Sequence, residues 1–197
     1  MSIRHALLAL LDQGSCYGYQ LRVEFEARTG ATWPLNVGQV YTTLGRLERD
    51  GLVAPHGADA EGHLFHAVTE AGRAELRNWF ETPVPRENPP RDELAIKLAM
   101  AVTVSGVDVS AVIQGQRRHS TKALQDYTRL RDQALDGDTD RREDLGWLLV
   151  LEQLIFRTEA EIRWLDNCER RLVRRRPEGA SSELPPAEAP TGRRGRI

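Results

Sequence analysis

A chain of 197 residues is long enough for one sizeable core or two small ones, and a formal net charge of −2 excludes a protein coated in positive charge. Its two cysteines, Cys16 and Cys168, lie far apart and outside any CxxC spacing, which argues against a disulfide framework or a zinc knuckle and points to a reducing cytoplasm. No run of about 18 apolar residues occurs, and no long apolar stretch precedes Asp12, so neither membrane insertion nor export is expected.

Ser2 is placed to cap a first helix in which Ile3, Ala6, Leu7, Leu10 and Leu11 recur at three- and four-residue steps, ending near Gly14. Residues 17–29, YGYQLRVEFEART, predict a second helix with Leu21 and Phe25 inward and Gly30 as its stop. Pro34 disfavours helical geometry at Trp33, so a turn must deliver the chain to the next element.

That element, Asn36 to Val53, reads NVGQVYTTLGRLERDGLV. Asn36 can accept from the amides of a first turn and Gln39 can reach back, a capping-box start. Val37, Val40, Leu44 and Leu47 fall in one narrow sector of the helix, with Gln39, Thr42, Arg46 and Arg49 on the other side. Amide, hydroxyl and guanidinium groups on one exposed face have the chemistry to read base edges and grip phosphates. Gly51 suits a left-handed stop.

Leu52–Pro55 and His63–Thr69 are strand-like, with residues 57–62 as a flexible tip, and a helix starting near Thr69 runs through Leu76, Trp79 and Phe80. Three helices followed by a hairpin is the order of a winged helix-turn-helix. The Pro-rich run from Thr82 to Pro90 is the best internal boundary, and beyond it lie helical patterns at about 92–104, 108–135 and 140–175. The last carries Leu148, Leu151, Ile155, Ile162, Leu165 and Leu172 as a seam that two helices could share. From Arg174 onward there is little to bury, and a disordered tail is expected.

The expected fold is therefore mainly α (α+β): a winged helix-turn-helix at 1–82, a linker at 83–90, an all-helical region at 91–175 and a tail at 176–197. Material for an enzyme is poor. His63 and His66 stand three apart on a strand and point to opposite faces, so no metal site is expected, nor is any cofactor, and no phosphate-cradling glycine loop follows a strand.

The sequence resembles the PadR family of transcriptional regulators over nearly all of residues 1–173. The resemblance rests on the Ile3–Leu11 helix, on YGYQL at Tyr17–Leu21, and above all on GQVYTTLGRLERDGLV at Gly38–Val53. Val68-Thr69-Glu70-Ala71-Gly72 is similar to the family's closing of the wing, with Val68 for Leu, and RDELAIKLAM at Arg91–Met100 to the start of its C-terminal helical region. The resemblance implies a cytoplasmic homodimer, its C-terminal seam residues used in dimerisation, with each third helix offered to half of a pseudo-palindromic double-stranded operator. On this basis Gln39, Thr42 and Thr43 would face bases, Tyr41 and Arg46 would lie nearer the backbone, and Tyr17, Tyr19 and Gln20 would touch phosphate. It further implies repression relieved by a small, often aromatic effector, for which Trp79, Phe80, Trp147 and His5 are the candidates. The wing departs from the family pattern: its tip carries Asp59 and Glu61 where many relatives place Lys or Arg, so it is expected to add little to DNA affinity. Residues 1–80 hold seven Arg against nine Asp and Glu, which leaves a competing expectation of a winged-helix module for dimerisation and protein contacts without specific DNA binding.

Overall fold

The computed structural model describes residues 2–85, 91–136 and 142–174. The chain is mostly helical with one small antiparallel sheet, in the order α1 (Ser2–Gln13), α2 (Gly18–Arg28), α3 (Val37–Arg49), β1 (Val53–Ala58), β2 (Leu64–Val68), α4 (Glu70–Glu81), α5 (Glu93–Ala101), α6 (Val109–Asp136) and α7 (Arg142–Arg174). The second half of the expected linker, 86–90, and the expected tail lie outside the described residues.

The first core forms because each N-terminal helix has an apolar stripe and nowhere else to bury it. Leu7, Leu8 and Leu11 of α1, Leu21 and Phe25 of α2, and Val40, Leu44 and Leu47 of α3 meet under the hairpin residues Val53 and Val68, with Leu76 of α4 closing the base. Each fully buried leucine is worth about 1.5–3 kcal/mol relative to exposure, so this cluster is the main force holding α3 in place. The hairpin pairs Val53 with Val68 and Ala54 with Ala67, and a register shift between Pro55 and Ala58 bends the wing beyond that point.

Two junctions fix where α3 starts and stops. The capping pair expected at its start takes another form: Asn36 Oδ1 accepts from the Gly38 amide at 2.8 Å, without a return bond from Gln39 among the described residues. The reach-back occurs instead at α2, where Gln20 Oε1 accepts from the Tyr17 amide at 3.2 Å. At the far end Gly51 takes φ 71°, and the Leu52 amide closes the turn on the Leu47 carbonyl at 2.9 Å. Thr69 then ties the wing back, donating its hydroxyl to the Gly51 carbonyl at 2.7 Å and accepting from the Gly72 amide at 3.1 Å.

The C-terminal helices make a second core of Leu98, Ile113 and Leu165, with Leu94, Val109 and Leu172 packed on it. Two polar clamps cross between α6 and α7. Ser120, almost fully buried, donates to Glu161 Oε1 at 2.6 Å, and Gln114 and Arg117 both donate to Glu169 at 2.6 Å. Arg117 also pairs with Asp166 at 2.8 Å. The hydrogen-bonded Arg117 guanidinium holds the Glu169 carboxyl below the ordinary glutamate range.

Half of the expected dimerisation seam is taken up inside the subunit. Leu151, Ile155 and Leu165 are buried within a single chain by packing inside the subunit, and Leu148, Ile162 and Leu172 are half-buried beside them. The apolar residues that α7 leaves to solvent are others, Leu145, Leu149 and Phe156 among them. Both stripes repeat at helical spacing, and α6 chose between them.

Candidate nucleic-acid interface

The face of α3 is divided as its periodicity predicts. Val40, Leu44 and Leu47 are buried, Val37 half-buried, and Gln39, Thr42, Arg46 and Arg49 exposed. Thr42 returns its hydroxyl proton to the Gly38 carbonyl at 2.8 Å and Thr43 does the same to Gln39 at 2.7 Å. Thr42 thus presents its methyl and a lone pair outward, whereas Thr43 is half-buried and sits off the centre of the polar face. Gln39 and Arg46 stand without an ion pair or side-chain hydrogen bond among the described residues, so reaching for another polar surface breaks nothing within the protein.

Arg49 is different. Its guanidinium is held by Asp50 at 2.9 and 3.0 Å, and Asp50 also pairs with Arg4 at 3.0 Å. The Arg49 hydrogen bond keeps the Asp50 carboxyl below its usual range, so this guanidinium is already engaged within the protein. Tyr41 is half exposed, and its ring covers Gly18: a Cβ at Gly18 would come within 2.7 Å of Tyr41 Cζ. The close approach of ring to backbone favours glycine there and adds Tyr41 to the contacts between α2 and α3.

The start of α2 lies beside this face. Tyr19 is half exposed, and Arg22, which the sequence reading did not single out, has its guanidinium carbon 5.0 Å from the centre of the Tyr19 ring. Gln20 is spent on the Tyr17 amide. The Tyr17 ring stacks on His63 at 4.5 Å and meets Phe65 edge-on at 5.5 Å, so Tyr17 joins α2 to the wing. At the wing tip, Asp59 accepts from the Glu61 and His63 amides at 3.0 and 2.8 Å and from the His63 ring at 2.8 Å. The backbone bond from His63, above all, keeps the Asp59 carboxyl below its ordinary range. Asp59 is therefore the cap of the tip as well as a charge, while Glu61, largely exposed, lies 3.5 Å from the His63 ring nitrogen. Asp59, Glu61 and His63 place their ligand atoms within 4.8 Å of one another, but on an exposed tip where they already serve each other.

Three of the four residues considered for an effector come together, and Trp147 lies apart. His5 stacks on Trp79 at 5.1 Å with parallel planes and bonds Glu75 at 3.0 Å, and Trp79 touches Phe80 at 4.8 Å. Phe80 is largely exposed. Trp147 lies instead over Gly30 at the end of α2, where the ring occupies the space of a missing Cβ and φ is 57°. A cavity of about 530 Å³ lies elsewhere, between α5, α6 and α7, and none of the four lines it. Cys16 packs half-buried against the first core, and burial pushes its thiol up, which suits packing better than nucleophilic chemistry.

Comparison with known proteins agrees in both halves. Residues 7–78 match the sequence model of the transcriptional regulator PadR-like family, and residues 90–173 match that of the virulence activator alpha C-terminal region. The negative transcriptional regulator PadR of Bacillus subtilis (strain 168) is 24% identical over 173 residues, covering 84% of this chain and 94% of that protein. A probable transcriptional regulator of Mycobacterium tuberculosis (strain ATCC 25618 / H37Rv) is 28% identical over 196 residues, covering 89% and 100%. Among solved structures, Bacillus subtilis PadR with p-coumaric acid superposes with a TM-score of 0.71 at 21% identity, covering 88% of this chain and 99% of that one. The same protein with operator DNA gives 0.67 at 21% identity, covering 87% and 99%. The Vibrio cholerae virulence activator AphA gives 0.66 at 24% identity, covering 87% and 98%. At these identities the structural likeness establishes the winged helix-turn-helix with a C-terminal helical region.

Proposed function

The chain belongs to the PadR-like family of transcriptional regulators, and on that premise we propose that it is a homodimeric, sequence-specific DNA-binding repressor. In this reading residues 1–82 read the DNA and residues 91–175 hold two copies together, so that the two α3 helices meet successive major grooves of a pseudo-palindromic operator about 34 Å apart. Gln39 and Thr42 address base edges, and Arg46 and Arg22 address phosphate, with Thr43, Tyr41, Tyr17, Tyr19 and Gln20 supporting them. A small-molecule effector lowers operator affinity. A hundredfold release needs only about 2.7 kcal/mol of preference for the released state.

The observation that carries the reading is the exposed polar face of α3, on which the Gln39 and Arg46 side chains have no partner among the described residues and Thr42, its proton given to the Gly38 carbonyl, stands beside them. The Leu145, Leu149 and Phe156 side chains left to solvent on α7 favour a second copy. The Bacillus subtilis relative, solved with operator DNA and with p-coumaric acid, favours both ligands. Nothing in the family points to enzymatic chemistry.

The test is binding of the full chain to DNA upstream of its own gene, with scrambled DNA as control. Selective, salt-sensitive binding that is lost in Gln39→Ala plus Arg46→Ala, with the dimer intact, is the expected result. Binding that does not distinguish the two DNAs would favour the second reading, a winged-helix protein-interaction module. That reading draws on the acidic balance of residues 1–80 and on the carboxylates of the wing tip.

A further inference from the structure

A cavity of about 530 Å³ opens between α5, the first turns of α6 and the last turns of α7. Its volume is within the range of sites that enclose small organic ligands, roughly 300–1,000 Å³. Leu98 and Ile113 are its most buried walls, and Val102, Trp164 and Leu172 add further apolar surface. The polar side chains that line it are Cys168, a weak hydrogen-bonding group, and two arginines, Arg171 and Arg174. No carboxylate is among the lining residues.

Among the described residues the arginines are not balanced by a carboxylate. The acids nearest to them along α7, Asp166 and Glu169, are both engaged by Arg117. Neither Arg171 nor Arg174 makes an ion pair among the described residues. With Arg170 and Asn167 they also line a second, smaller concavity at the end of the helix, so cationic groups cluster there. An apolar chamber with unpaired guanidinium groups at its edge complements a molecule that has an apolar body and one anionic end.

We propose that this cavity binds an amphipathic monocarboxylate, its carboxylate on Arg171 and Arg174 and its body, an unsubstituted chain of roughly ten carbons, against Leu98, Ile113 and Trp164. A hydroxyl at the far end of such a body would meet hydrocarbon and lose its hydrogen bonds to water, so the ligand is a plain acyl acid rather than a hydroxylated one. This site deepens the effector part of the proposed function and rests on that reading only for its effect on DNA.

The test is calorimetric titration of the full chain with decanoate in the absence of DNA. Saturable binding of one decanoate per chain is expected. 1-Decanol and 10-hydroxydecanoate should each bind at least tenfold more weakly, as should decanoate itself to the Arg171→Ala plus Arg174→Ala variant. Ala99→Trp, at a partly open position of the lining, should fill the chamber and abolish binding. No saturable heat with the wild type, or a decanoate affinity indifferent to the arginine pair, overturns the proposal. So does a wild type that binds nothing while Ala99→Trp splits the dimer, since the chamber is then a subunit contact. Because no DNA is present, failure of operator recognition would leave a positive result standing, and a negative one would leave operator recognition untouched.

Discussion

Gly72→Ala tests the junction that sets the wing against the end of α3. Alanine in place of glycine inside a helix ordinarily gains about 1 kcal/mol. Here the new methyl would overlap the Leu52 carbonyl oxygen and come within 2.7 Å of Val68 Cγ2. That oxygen already accepts the Thr69 amide at 3.0 Å, so the backbone cannot swing aside without losing a bond. Relief requires moving α4 or the β1 end by several tenths of an ångström. Overpacking of this kind costs about 1–3 kcal/mol, and a weakened backbone hydrogen bond adds about 1 kcal/mol. The steric terms exceed the propensity gain, leaving a net loss of about 1–3 kcal/mol by these values. Gly45, on the open side of α3 with nothing within 4 Å of its missing Cβ, provides the internal control. Its replacement by alanine should stabilise by up to about 1 kcal/mol. Urea unfolding followed by circular dichroism measures both. If Gly72→Ala is as stable as the wild type, the junction is more compliant than its geometry states, and α3 is not positioned through it.

Glu61→Lys, which removes a solvated carboxylate and leaves the Asp59 cap intact, should tighten operator binding about threefold at 0.15 M salt for two wings roughly 8 Å from phosphate; weaker binding in a fluorescence anisotropy titration would refute the acidic-wing argument. Glu169→Gln should flatten the acid limb of thermal stability. A carboxyl lowered by Arg117 stabilises the fold above the unfolded glutamate value of about 4.3 and loses that contribution as pH falls through its folded value, so the variant should differ from wild type at pH 7 and converge with it at low pH. Parallel melting curves across that range would contradict the clamp.

The N-terminal half was legible because local chemistry and tertiary demand coincide there. Asn36, Gly51 and Thr69 each have one backbone role their residue type favours, and the Val40–Leu44–Leu47 stripe has one possible inside. In the C-terminal half, the bounds of α5 to α7 followed from periodicity, but their facing did not. α7 carries two apolar stripes, and the choice between them depends on Ser120 and Arg117, which meet Glu161 and Glu169 across 41 and 52 residues of sequence. The wing tip was legible only in part: its charge could be counted, but not that Asp59 holds two amides. Arg22 went unnoticed because only the fold shows which cations are already used.

Under the proposed function, that use of cations decides how an acidic domain would hold an acidic polymer. Of the seven arginines in residues 1–80, five are matched to carboxylates: Arg4 and Arg49 to Asp50, Arg28 to Glu24, Arg73 to Asp12 and Arg77 to Glu70. Arg46 and Arg22 remain, one on each of α3 and α2, so the positive charge left for DNA is small and is placed on the two helices of the reading unit. Two phosphate contacts per subunit give four per dimer, and the logarithm of the operator affinity should fall with the logarithm of salt concentration at a slope of about −3.6. The slope, measured by anisotropy between low and moderate salt, should drop by about 2 in Arg46→Gln, which removes one contact from each subunit. A wild-type slope steeper than about −7 would mean that cations beyond these two grip the backbone, and the assignment of phosphate contact to Arg22 and Arg46 would fail.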